Sequence, residues 1–144
     1  MWPHVRIASV IEAHDDEAEA YDKCRKVLTT EPDVAGVYVS TANSLPVIDA
    51  IKDRGLAEVT LITTDLFPAL VPLIESGTIA ATMHQRAWTQ GRLVLQSLHR
   101  FLVDRVPPPD HVRLSPHIVM KSNLKLFLDR IQPLRNLTQP SLFR

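Results

Sequence analysis

Short β-branched apolar runs alternate with longer stretches of helical periodicity along this chain, and that alternation leaves few folds open. Residues 6–11 (Arg-Ile-Ala-Ser-Val-Ile) read as a first buried strand. Asp15 or Asp16 then caps a helix running to about Thr29, with Glu17 and Glu19 at the positive end of its dipole. Ala20, Cys24, Val27 and Leu28 form its inner face. Residues 34–40 are nearly continuous in apolar side chains, as in a strand covered on both faces. A helix over 44–54 follows, with Val47, Ile48 and Ile51 inward and Gly55 at its end. A third strand spans 59–63, a short helix 68–75 and a fourth strand 79–83. A longer helix over 89–104 is expected to bury Val94, Leu98, Phe101 and Leu102, and Pro107-Pro108-Pro109 ends it. Residues 113–120 hold a fifth strand interrupted by Pro116. A last short helix is expected over 124–131, followed by an arm from Gln132. Strands alternating with helices predict an α/β fold with a parallel sheet flanked by helices.

Bulk properties remove several function classes. The 144 residues suffice for one domain, and 45% hydrophobic with 22% charged residues is a globular balance. Sixteen basic and sixteen acidic side chains cancel, whereas a nucleic-acid-binding module carries a basic excess. Cys24 is the single cysteine, so no internal disulfide is possible, which fits a reducing compartment. No apolar run approaches the roughly 18 residues of a membrane span. The start of the chain shows no signal-peptide pattern.

In open parallel sheets ligands bind beyond the carboxyl ends of the strands. The polar residues there are His14-Asp15-Asp16, Ser40-Thr41-Ala42-Asn43, Thr63-Thr64-Asp65 and His84-Gln85-Arg86. Carboxylates accept from two hydroxyls at once and amides both donate and accept, which suits a polyol. Capping competes at several of these positions: Asp65, Asn43, Ser44, Asp15 and Asp16 can each start a helix. Gln85 is needed by neither a helix start nor a turn.

Enzyme signatures are mostly absent. There is no Gly-rich phosphate loop, no Gly-x-Ser-x-Gly elbow and no His-Glu-x-x-His helix, and the six histidines lack metal-ligand spacing. Cys24, on an inner helix face, reads as a buried thiol rather than a nucleophile. One enzyme-like alternative is a receiver-like phosphoacceptor, with Asp15-Asp16, Asp65, Thr82 and Lys121 in the required slots. The short Asp65–Thr82 segment and the long Thr82–Lys121 segment argue against it.

Three runs resemble the type I periplasmic-binding-protein superfamily, which includes ribose-binding proteins and the ligand domains of lactose-repressor-type regulators. Glu31-Pro32-Asp33-Val34-Ala35-Gly36-Val37-Tyr38-Val39 is similar to the family's strand before the ligand loop. Val59 to Asp65 is similar to its strand ending in Gly-x-Asp, with Thr63-Thr64 before the aspartate in place of the glycine. Gly77 to Gln85 is similar to "G-x-I-x-A-T-x-x-Q", with Gln90-Gly91 opening a helix. The resemblance implies hydrogen bonds from Asp65 and Gln85 to sugar hydroxyls, with Asn43, Thr41, Ser40 and Asp15 as further ligand-binding candidates. Ser40-Thr41 stand where the family often has Asn-Asp. The matched part corresponds to the last half of a two-lobed domain. Residues 1–86 are then a portion of the C-terminal lobe, 87–122 a helix and strand belonging to the other lobe, and 123–144 a short helix and extended tail. The first strand and helix of this lobe would precede Met1.

On this reading the chain is a fragment of the sugar-sensing domain of a cytoplasmic transcriptional regulator, not an enzyme. It needs no cofactor and no metal, forms a homo-oligomer, does not engage a membrane, and reaches DNA only through an N-terminal segment outside this sequence. The alternative within the same fold is the solute-binding component of a sugar transporter.

Overall fold

The structure is a computed structural model and describes residues 4–56 and 58–128. Among the described residues there are four strands, β1 (Gly36–Tyr38), β2 (Thr60–Thr64), β3 (Ala81–His84) and β4 (His117–Val119), in the spatial order β1-β2-β3-β4. β1, β2 and β3 run parallel, with Val37 opposite Leu61 and Thr63 opposite Thr82. β4 is antiparallel to β3, with Thr82 opposite Val119. The sheet is therefore mixed, not all-parallel.

Two helices form the layer beside the sheet. α1 (Glu17–Thr30) starts at Asp16, whose carboxylate accepts from the Glu19 N–H at 2.7 Å, so of the two candidate caps Asp16 is the one used. Asp16→Ala is expected to cost about 1 kcal/mol, and Asp16→Asn close to nothing, in urea unfolding monitored by circular dichroism. Glu19 also takes a hydrogen bond from Lys23 at 2.5 Å and lies 3.0 Å from His14 Nδ1, and these partners hold its carboxyl below the usual glutamate range. α1 buries Ala20, Cys24 and Leu28. Burial pushes the Cys24 thiol pKa up, which suits a packing role and not a nucleophile. α2 (Ser44–Asp53) buries Val47, Ile48, Ala50 and Ile51 and packs on α1. Gly55, at φ +66°, closes the end of α2 in a backbone conformation that side chains rarely adopt.

Leu61, Leu70, Ile74, Ile79, Val119, Leu124 and Phe127 complete the core. Leu70 belongs to a 3-10 turn (Pro68–Leu70) leading into α3 (Val71–Ser76). After β4, Asn123 Oδ1 accepts from the Met120 N–H at 2.8 Å and its Nδ2 donates to the Ile118 carbonyl at 3.0 Å. That turn carries Leu124 and Phe127 back into the core. Phe127 meets the rings of His84 and His117 edge-on, with centroids 6.2 and 5.5 Å away, and so pins β3 to β4.

Several sequence expectations are corrected. Residues 6–11 form no strand: they pair with nothing in the sheet, and Val10 is 87% exposed. A β-branched run becomes a strand only beside a partner, and β1 is joined to β2 alone. Residues 34–40 are covered on one face only, because Tyr38 and Ile62 point away from the helical layer. α4 (Ala87–Asp104) forms but buries none of its residues, so Val94, Leu98, Phe101 and Leu102 are exposed. The strand within 113–120 is β4, which pairs antiparallel with β3. In place of a last helix there is a 3-10 turn (Leu124–Leu126). Residues 129–131 and the expected arm lie outside the described residues.

Candidate functional site

Because β1, β2 and β3 are parallel, their carboxyl ends share one edge of the sheet. The antiparallel β4 brings its amino end, preceded by Leu114 and Pro116, to the same edge. A cleft of about 310 Å³ opens there, lined by Tyr38, Ser40, Thr64, Met83, Gln85, Gln90, Leu114 and Pro116. Its floor is organised by the Tyr38 hydroxyl, 3.3 Å from Thr64 Oγ1 and donating to Met83 Sδ at 3.5 Å. Gln90 Nε2, in the first turn of α4, donates to the Gln85 main-chain oxygen at 2.6 Å and fixes the loop carrying Gln85.

Of the residues anticipated from sequence, Ser40 and Gln85 line this cleft. Asp65 sits one residue beyond β2, with φ +68°. Its N–H donates to the Met83 carbonyl at 2.9 Å, and its carbonyl accepts from the Thr82 hydroxyl. Both main-chain groups are thus tied to β3. Asp65 caps no helix, since the next helical turn starts at Phe67 without a side-chain cap. Arg86, next to Gln85, is also left-handed, at φ +62°. Two adjacent strands thus end in backbone that costs free energy to hold, a feature that clusters at binding sites.

Asn43 is only 9% exposed, its Nδ2 has no hydrogen-bond partner among the described residues, and it does not cap α2. Ser44 does not take over the cap either, and its hydroxyl is buried without a partner. An unpaired buried amide of this kind costs about 1–3 kcal/mol. Thr41 is exposed and accepts the Asn43 N–H at 3.3 Å. Asp15 is misplaced by the sequence reading: with no strand over 6–11, it stands on an exposed turn before α1, not at a strand end.

The receiver-like arrangement is not formed. Lys121 follows an antiparallel strand and so lies toward the opposite edge from Asp65, while the Thr82 hydroxyl is engaged by the Asp65 carbonyl. Among the described residues no group of three or more His, Cys, Asp or Glu is placed to hold a metal ion. No described helix is long and apolar enough to cross a membrane. Thr64 was among the polar strand-end residues singled out from the sequence, whereas Tyr38, Met83, Gln90, Leu114 and Pro116 were not anticipated as cleft residues. For Tyr38 a signal existed, because it lies two residues before Ser40 and hence on the same side of the strand.

Residues 2–104 match the profile of the periplasmic binding protein domain. The chain belongs to that family. Solved structures similar to it include a periplasmic solute-binding protein of an ABC transporter from Actinobacillus succinogenes with bound D-allose. It is 19% identical, with a TM-score of 0.77 over 87% of this chain and 45% of that one. A myo-inositol-binding protein from Caulobacter is 22% identical, with a TM-score of 0.78 over 87% and 44%. A glucose-galactose binding protein from Geobacillus stearothermophilus is 23% identical, with a TM-score of 0.75 over 83% and 43%. The present chain spans less than half the length of each of these proteins.

Proposed function

We propose that this chain forms part of the solute-binding component of a sugar transporter, and that the cleft at the strand ends contributes one wall of its polyol site. The observation that carries the proposal is the convergence of Tyr38, Ser40, Thr64 and Gln85 on one cleft, in a fold shared with allose-, inositol- and glucose-galactose-binding proteins. Hydroxyl and amide groups supply the mixed donors and acceptors that a polyol needs. Asp65, immediately beyond Thr64 at the same strand end, would add a charge-assisted acceptor at the rim of the cleft. The regulator reading has less support, because the similar structures described above are binding proteins. On this reading the chain works on the outer side of the membrane, in place of the cytoplasmic regulator expected from sequence. The chemistry asked of the site is binding and release, with no bond made or broken.

The test is a titration of the labelled protein with D-allose, D-glucose, D-galactose and myo-inositol, followed by amide chemical shifts. Shifts confined to residues around Ser40, Thr64 and Gln85 are expected. Gln85→Ala should weaken the response about tenfold, a loss of roughly 1.4 kcal/mol. Shifts spread evenly over the surface, or none with any of the four, would remove the polyol reading and leave the fold intact.

A further inference from the structure

The lining of the cleft changes character along the strand order. Ser40 follows β1 and Thr64 ends β2, so hydroxyls stand on the β1–β2 side. Met83 lies in β3, and Leu114 and Pro116 precede β4, so the β3–β4 side presents a thioether and two hydrocarbon side chains. Tyr38 spans the two sides. From β1 its hydroxyl reaches Thr64 Oγ1 at 3.3 Å and donates to Met83 Sδ at 3.5 Å. With its proton given to a thioether, a weak acceptor, and Thr64 beside it, that hydroxyl is already partnered within the protein. What Tyr38 offers a ligand is its ring, and the residue is 57% exposed. Gln90 likewise spends its Nε2 on the Gln85 main-chain oxygen.

No residue lining the cleft is charged. A carboxylate or phosphate on the ligand would lose water there without gaining a cation. The Asp65 carboxylate, one residue beyond Thr64, makes an anion less welcome still.

We infer that the site is matched to a neutral 6-deoxyhexose, and that the apolar side formed by Met83, Leu114 and Pro116 sets this preference. The hydroxyl-bearing edge of the sugar meets Ser40, Thr64 and Gln85, its methyl-bearing edge meets the apolar side, and the Tyr38 ring lies beneath it. A fully hydroxylated hexose turns its 6-hydroxyl to the side where Met83 Sδ is already engaged and the Leu114 and Pro116 side chains carry no polar group. The inference rests on the polyol reading and narrows it to a substrate class.

Isothermal titration of the full chain with sugar pairs that differ by one oxygen tests it. The pairs are D-galactose with D-fucose and D-glucose with 6-deoxy-D-glucose, and D-galacturonate is the charged member. In each pair the deoxy sugar should bind about tenfold tighter, and D-galacturonate should give no binding heat. Leu114→Asn, which places an amide beside the 6-position, should bring the two sugars of each pair to nearly equal affinity. Leu114 lies outside every strand and helix, and an unchanged circular dichroism spectrum checks that the variant is folded. The wild-type pairs test the inference without it. Equal or weaker binding of the deoxy sugars, binding of D-galacturonate, or a preference that survives in folded Leu114→Asn overturns the inference and leaves the polyol reading standing. Heat from none of the sugars, with no chemical-shift response to myo-inositol, removes both.

Discussion

Ile48→Ala is expected to remove about 2–5 kcal/mol from the folding free energy, read as a lower urea midpoint with an unchanged slope. Ile48 is 2% exposed and belongs to the same buried cluster as Ala20, Cys24 and Leu28 of α1 and Leu61 of β2. Truncation removes three carbons from water-excluded packing and leaves a cavity between two helices tied into the sheet. The loss is large against the 5–15 kcal/mol typical of a whole domain. It matters more here because, among the described residues, only one face of the sheet is covered. Val94→Ala provides the contrast. Val94 is comparably apolar, but it is 65% exposed on α4, and its truncation should change stability by no more than about 0.5 kcal/mol in the monomer. A loss below about 1 kcal/mol for Ile48→Ala would mean that α1 and α2 are not held against each other as described.

The same contrast marks how far the sequence could be read. α1 was legible because everything that makes it is local: Asp16 before the helix, acidic residues in its first turn, and Ala20, Cys24 and Leu28 one turn apart. α2 was legible for the same reason. Residues 6–11 and α4 were misread for a shared physical cause. An apolar pattern reports that a face has to be covered, but not that a covering element is present. The direction of β4 was not legible either, since alternation of strands and helices carries no information about the last strand once Pro107 to Asp110 break the pattern. In the cleft, Ser40 and Gln85 could be placed from sequence because strand ends can be located there. Tyr38 needed the parity of β1, and Leu114 and Pro116 needed the antiparallel return of β4. Asp15 stands on an exposed turn apart from the cleft, because the strand expected to carry it does not form.

Thr82→Val should lower stability by about 1–3 kcal/mol and, where the polyol reading holds, should weaken sugar binding as well. The Thr82 side chain is fully buried, and its hydroxyl donates to the main-chain oxygen of Asp65 across the β2–β3 pair. Valine keeps the shape and removes the donor, so the cost is that of a buried carbonyl left short of a partner. That carbonyl belongs to a residue held at φ +68°, and the Thr82 bond is one of the two that keep it there. Without it, Asp65 has one tie to β3, its N–H to the Met83 carbonyl. The aspartate is then free to relax toward ordinary backbone, which shifts the carboxylate relative to the strand ends. Thr82→Ser separates the two effects. It keeps the hydroxyl and loses one methyl, so stability should fall by only about 1 kcal/mol while sugar affinity stays near wild type. Equal losses of affinity in both variants would show that packing at Thr82, and not its hydrogen bond, positions the end of β2. A neutral Thr82→Val would show that Asp65 holds its conformation through its own backbone, and the link from β3 to the site would be withdrawn.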